Sequence, residues 1–177
     1  MFRCCCLLIL CVLFSRCQNA LDIKTMDNQS FVWTNDMNVF YFLNTECPIC
    51  QKYQGQFKKA LDSFENINIY YVFCGEQNLT EIKQFAQYDS IPYHQILLDK
   101  NYELAKTLKA TVTPQVIVSN QKKILYSGKI DNRFETLGSY SQNPTINYLN
   151  NALISLRKNE TIQEPYTQPV GCFIEPH

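Results

Sequence analysis

Val39-Phe40-Tyr41-Phe42-Leu43-Asn44-Thr45-Glu46-Cys47-Pro48-Ile49-Cys50 passes from an apolar run through a short polar stretch into two closely spaced cysteines. An unbroken apolar run bounded by polar residues predicts a strand buried on both faces over Val39 to Leu43. Pro48 suits the first position of a helix, and Cys50, Tyr53, Phe57, Ala60, Leu61 and Phe64 recur at helical spacing. A helix from Pro48 to Phe64 is therefore expected, with Gly55 only a modest weakness. Far downstream, Thr113-Pro114 precedes another apolar run. Strand, paired thiols at a helix mouth and a distant Thr-Pro make the layout of a redox site. Disulfide exchange needs an exposed thiolate, a neighbouring thiol to release the mixed disulfide, and a surface that holds the partner chain.

The remaining segments read as an α/β chain. Ser30 to Trp33 is expected as a short leading strand, Ile67 to Phe73 as a strand rich in Ile, Tyr and Val, and Gln95 to Leu98 as another. Asn78 with Glu81 resembles a capping box for a helix through Tyr88, and a short helix is expected from Tyr102 to Leu108. Gln115 to Ser119 and Ile124 to Gly128 flank a polar turn and predict an antiparallel hairpin. Asn143-Pro144 predicts the start of a helix that buries Ile146, Leu149, Leu153 and Leu156 and ends near Lys158. The domain organisation expected is a leader over 1–20, one domain over 21–158, and an extended surface tail over 159–177 that carries Pro165, Pro169 and Pro176.

A chain of 177 residues that is 46% hydrophobic can bury one core of ordinary size. Lys plus Arg total 16 and Asp plus Glu total 16, so no basic field recruits nucleic acid. Arg3, the apolar core from Leu7 to Phe14 and the polar residues that follow have the layout of an export signal, too short for an ordinary spanning helix. Two readings of it stand open: cleavage after Ala20, or a lipoprotein signal with Cys17 lipidated and an N-terminal lipid anchor in the membrane. Either predicts an exported protein of the periplasm or cell envelope.

Of nine cysteines, those outside the leader are Cys47, Cys50, Cys74 and Cys172. Cys47, just ahead of the helix, is the expected attacking thiol, because free backbone N–H groups and the positive helix end favour its thiolate. Cys50, one turn further in, is the expected resolving thiol. Exposed Glu46 would raise the Cys47 pKa slightly by repulsion. The rival reading, half of a zinc site, needs two more ligands; His94, His177, Cys74 and Cys172 are available but form no second knuckle, so no metal and no organic cofactor is expected. If the strand over Ile67 to Phe73 lies parallel to Val39 to Leu43, Cys74 ends at the same rim as Cys47. One expectation folds Cys172 of the Gly171-Cys172-Phe173 stretch back to the same rim and pairs it with Cys74 as a structural disulfide that ties down the tail; the plainer reading makes Cys74 a small buried hydrophobe. His94 is expected as a partly buried polar residue.

The segments Phe42 to Cys50, Ala110 to Gln115, Tyr126 to Arg133 and Pro169 to Glu175 together resemble the thioredoxin-like superfamily, and more narrowly its redoxin branch of exported proteins related to peroxiredoxins and thiol-disulfide carriers. The resemblance implies a thioredoxin-like fold, a central mixed β-sheet flanked by helices. It also implies a cis Thr113-Pro114 bond facing Cys47 and Cys50, with the Thr113 backbone free to pair with an extended substrate. Asp131 and Arg133 match the narrower group and stand either as a groove wall or as a solvated loop pair. Thioredoxin-type reductases carry a buried carboxylate where this chain has Tyr41, which weakens the case for fast general reductase activity.

The function expected is therefore an exported thiol-disulfide oxidoreductase that exchanges disulfides with protein or small-molecule thiols through Cys47-Pro48-Ile49-Cys50. A thiol peroxidase is one alternative, although peroxiredoxins orient peroxide with Thr or Ser where Asn44 stands here. A copper-handling thioredoxin-like binding protein is the other; such carriers space their cysteines more widely and add a histidine, for which only His94 is placed.

Overall fold

The computed structural model describes residues 21–59, 61, 64–121 and 123–175. The expected leader over 1–20 lies outside them. In chain order the elements are β1 (Lys24–Thr25), β2 (Met37–Leu43), α1 (Pro48–Tyr53), β3 (Ile67–Cys74), α2 (Leu79–Tyr88), β4 (Ile96–Asp99), α3 (Glu103–Leu108), β5 (Val112–Thr113), β6 (Gln115–Asn120), β7 (Lys123–Gly128), α4 (Tyr148–Arg157) and β8 (Cys172–Phe173).

The main sheet has the order β1-β4-β3-β2-β6-β7, and β5 pairs with β8 in a second, two-stranded sheet. Strand β2 runs parallel to β3, which runs parallel to β4, whereas β6 and β7 form the antiparallel hairpin beside β2. The sheet is thus mixed, flanked by few helices, and thioredoxin-like. Its parallel strands bring Leu43, Cys74 and Asp99 to one rim. Alternation along β2 sends Val39, Tyr41 and Leu43 to one face and Phe40 and Phe42 to the other. The first face is covered by buried residues of α1, α2 and α4, among them Cys50, Phe85 and Leu149; Leu104, Ala105 and Leu108 of α3 cover the second. Burial on both faces explains why β2 reads as a continuous apolar run. Among the described residues no helix is long and apolar enough to cross a membrane.

Three elements differ from the sequence reading. The leading strand is Lys24–Thr25 rather than Ser30 to Trp33: it pairs antiparallel with β4, and Ser30 makes only an isolated bridge to Lys24. Helix α1 stops at Tyr53: its C-cap Gln54 already has an extended ψ of 140, and Gly55 follows at φ +75 with its N–H donated to Asp89. Phe57 and Leu61 still reach the core from the turns that follow. Helix α4 starts at Tyr148, not at Pro144. The Asn132 side-chain oxygen accepts from the N–H groups of Thr145 and Ile146, which holds that stretch on the loop after β7. Ile146, expected inside, is exposed as a result.

Candidate active site

Cys47 is the N-cap residue of α1, with extended backbone and Pro48 next to it. The local reasons are those of the sequence: β2 ends at Leu43, a polar turn reverses the chain, and Pro48 is preorganised for the first helical turn. Asn44 Oδ1 accepts from the Glu46 N–H at 2.7 Å, and Gln51 donates to the Thr45 carbonyl at 2.8 Å, so this turn is braced from both ends.

Thr113 faces Cys47, whose Sγ lies 3.1 Å from the Thr113 carbonyl oxygen. The Thr113-Pro114 peptide is cis. Gln115 supports that loop: its side-chain oxygen accepts from the Thr111 N–H at 2.9 Å, and its amide donates to Ser127 Oγ at 3.0 Å. Cys50 is wholly buried one turn behind Cys47.

Hydrogen bonds from Cys50 and then from Cys172 to the sulfur outweigh the burial penalty and hold the Cys47 pKa down at about 4, far below its ordinary 9.0. The Thr113 contact suits a protonated thiol as donor; it is given up on ionisation and does not reverse the balance. Burial, and then the adjacent Cys47, push the Cys50 pKa well up. The pair is therefore split into one ready thiolate and one retained proton, which is what stepwise exchange requires.

Two sequence expectations about the tail are corrected here. Cys172 does not pair with Cys74. All four thiols are free, and Cys172 Sγ lies 2.7 Å from Cys47 Sγ. Cys74 instead donates to Asp99 Oδ2 at 3.7 Å, and burial together with the Asp99 charge raises its pKa. Asp99 accepts from the Leu104 and Ala105 N–H groups at the start of α3, so Cys74 belongs to a capping network on the rim. Nor is the Thr113 backbone free: β8 pairs antiparallel with β5, setting Thr113 opposite Cys172 and Val112 opposite Phe173. Under this cover Cys47 is only 2% exposed, where an exposed thiolate was expected.

Asp131 and Arg133 are buried, not a solvated loop pair. Arg133 Nε lies 3.6 Å from Asp131 Oδ2, and Tyr53 of α1 donates to Asp131 Oδ1 at 2.6 Å, so the pair anchors the active-site helix from behind. Tyr41, in the place of the carboxylate that reductases carry, is fully buried and donates to the Phe57 carbonyl. His94 is exposed on a short 3-10 turn, not partly buried. The sequence reading set Tyr53 on the buried face of the helix without a partner for its hydroxyl, gave Gly171 no role of its own, and brought Cys172 to the rim as a partner for Cys74 rather than for Cys47. The signal for the last two is the run Val170-Gly171-Cys172-Phe173-Ile174, which alternates like a short strand after Pro169.

A cleft of about 410 Å³ opens along this rim, lined by Thr45, Glu46, Cys74, Thr113 and Phe173 among others. Among the described residues no group of three or more His, Cys, Asp or Glu side chains is set to hold a metal ion.

Residues 16–127 match the AhpC/TSA family, and the chain belongs to that family. No functionally curated protein matches it. Among solved structures, an uncharacterised conserved protein from Geobacillus kaustophilus superposes with a TM-score of 0.70 at 19% identity, over 89% of this chain and 88% of that one. A hypothetical protein from Sinorhizobium meliloti gives 0.72 at 13% identity, over 86% and 88%. A secreted Mycobacterium tuberculosis disulfide oxidoreductase homologous to E. coli DsbE gives 0.54 at 11% identity, over 78% and 98%. At these identities the likeness is one of fold.

Proposed function

We propose that the protein is a thiol-disulfide oxidoreductase working through Cys47 and Cys50. The observation that carries this reading is the placement of Cys47 at the mouth of α1, its Sγ 3.1 Å from the carbonyl oxygen of Thr113 in the cis Thr113-Pro114 peptide, with Cys50 buried one turn behind; the lowered pKa of Cys47 and the raised pKa of Cys50 agree with it. In the reducing direction the Cys47 thiolate attacks one sulfur of a partner disulfide, forming the mixed disulfide and releasing the other sulfur as thiolate. Cys50 then loses its proton and attacks Cys47. The Cys47–Cys50 disulfide forms and the partner leaves reduced, one of its sulfurs taking the proton released by Cys50 and the other a proton from water. Reversal oxidises a partner dithiol. A strongly stabilised thiolate favours the reduced enzyme, so its disulfide is the better oxidant and the oxidising direction is favoured.

Thr113 and Pro114 are the substrate platform in this reading, and the partners are protein or small-molecule thiols and disulfides, with no cofactor in the exchange. Export to the cell envelope is supported by the signal-like layout of residues 1–20, with lipidation at Cys17 or cleavage after Ala20 the two routes. The secreted character of the Mycobacterium tuberculosis oxidoreductase fits the same placement.

Family membership favours thiol peroxidase as a second reading. Against it, the Thr45 hydroxyl donates to Glu81 at 2.9 Å and Asn44 is engaged with the Glu46 N–H, so neither side chain is available to orient a peroxide. Copper handling loses support with His94 exposed on its 3-10 turn.

The test is oxidation of a reduced, unfolded dithiol protein by the disulfide form of the chain. Turnover should vanish in Cys47→Ser, while peroxide consumption by the reduced chain stays slow. Undiminished oxidation by Cys47→Ser would refute the assignment, and rapid peroxide turnover would promote the second reading.

A further inference from the structure

The β5–β8 pairing places the chain's own tail where an extended partner would lie. Cys172 stands opposite Thr113, Phe173 opposite Val112, and the Ile174 N–H donates to the Thr111 carbonyl at 2.9 Å. Alternation turns the Cys172 sulfur inward to Cys47, 2.7 Å away, and leaves Phe173 76% exposed. Gly171 makes this approach possible: a Cβ there would lie 2.0 Å from the Thr113 carbonyl oxygen and 2.6 Å from its carbon.

Upstream, the tail is tied down. The Ser127 N–H donates to the Pro165 carbonyl, the Thr167 N–H to the Ser127 carbonyl, and the Lys129 N–H to Thr167 Oγ1. Only Gln168 and Pro169 separate that anchor from Val170. A short tether keeps Cys172 at high effective concentration beside Cys47. The covering strand, however, is a two-residue pairing, which can open locally without unfolding the sheet.

We propose that the tail from Val170 to Ile174 is a tethered stand-in for the partner chain, and that Cys172 is a third redox thiol that exchanges with Cys47. This rests on the exchange chemistry assigned to Cys47 and Cys50. In the oxidised protein the Cys172 sulfur, as thiolate, attacks Cys47 Sγ. The Cys47–Cys172 bond forms, the Cys47–Cys50 bond breaks, and the proton given up by Cys172 ends on Cys50. The step is an isomerisation with no net oxidation; the oxidising equivalents are those already taken from a disulfide. In the reduced protein Cys172 donates to the Cys47 thiolate, and its own proton is held to about 12 by burial and by Cys47. A partner reaches Cys47 only when β8 lifts, and the returning strand completes the cycle.

The test uses glutathione disulfide on the reduced full chain carrying Cys50→Ser, followed by acid quench, intact mass and non-reducing peptide mapping. Cys50→Ser should lose its glutathione and hold a Cys47–Cys172 disulfide, whereas Cys50→Ser with Cys172→Ser should retain one glutathione on Cys47. Glutathione persisting on Cys47 in Cys50→Ser, with Cys172 free, overturns this proposal and leaves the oxidoreductase reading standing. Failure of Cys47 to react in either variant overturns both. A variant that keeps every sulfur, Gly171→Ala, should lift the strand and speed alkylation of reduced Cys47 by about tenfold or more; an unchanged rate overturns the covering role.

Discussion

Tyr53 donates its phenolic hydrogen to Oδ1 of Asp131 at 2.6 Å, joining the active-site helix to the loop after β7. The same carboxylate oxygen accepts from the Arg133 N–H at 2.8 Å, and the Arg133 guanidinium lies 5.8 Å from the centre of the Tyr53 ring. All three side chains are buried, so the network is paid for only if it stays complete.

Asp131→Ala should therefore cost about 3–5 kcal/mol in denaturant unfolding, since it strands the Arg133 charge. Tyr53→Phe removes one hydrogen bond to a charged acceptor and should cost about 1.5–3 kcal/mol. Equal effects of the two substitutions, or none, would show that the pair does not anchor α1.

The acidity of Cys47 has an ordered cause. Its alkylation rate against pH should show a midpoint at about 4, because donors from Cys50 and Cys172 favour the thiolate. Cys172→Ala should raise the midpoint, and Cys50→Ala should raise it further, since Cys50 contributes more. A midpoint near 9 in the unsubstituted protein would contradict this electrostatic picture.

Stability should depend on pH in a way that separates the reduced from the oxidised protein. The folded Cys47 pKa lies below the unfolded value, so the folded reduced state binds fewer protons there and gains stability as pH rises from about 4 toward 9. The gain is lost as pH falls through about 4. Above 9, where Cys50 and Cys172 ionise more readily in the unfolded chain, part of it is returned. Chemical denaturation across this range should show the reduced form gaining on the oxidised form, and Cys47→Ala should flatten the difference.

In the proposed mechanism Cys74 takes no part in the exchange and instead donates to Asp99. Cys74→Ala should cost about 1 kcal/mol and leave dithiol oxidation intact, while Asp99→Ala should cost about 0.5–2 kcal/mol by uncapping α3. Loss of turnover in Cys74→Ala, with the fold retained, would return that thiol to the mechanism.

The sequence made the fold legible where the determinants are local or strictly periodic. The apolar run of β2, the Asn78 cap, which accepts from the Thr80 N–H, and the hairpin of β6 and β7 all stand near their expected positions. Helical periodicity carried the reading of α1 past Tyr53, but Phe57 and Leu61 reach the same core from turns, so their spacing could not reveal that the chain leaves the helix at Gln54 and Gly55. The start of α4 depended on Asn132, which lies outside the helix and captures the N–H groups of Thr145 and Ile146. For the candidate site, the placement of Cys47 and Cys50 at the mouth of α1 was readable from the preceding strand, Pro48 and their spacing. That Cys172 faces Cys47 rather than Cys74 was not, because it depends on the register in which the tail docks on Thr113, for which Gly171 leaves room.

The reduction potential of the cysteines, read by peptide mapping after equilibration in graded glutathione buffers, tests the central claim most directly. A thiolate as stable as that of Cys47 places the couple toward the oxidising end, about −200 to −120 mV, with Cys47 bonded to Cys50 or Cys172 in the oxidised form. A Cys47 that remains a free thiol across the whole series would contradict the account.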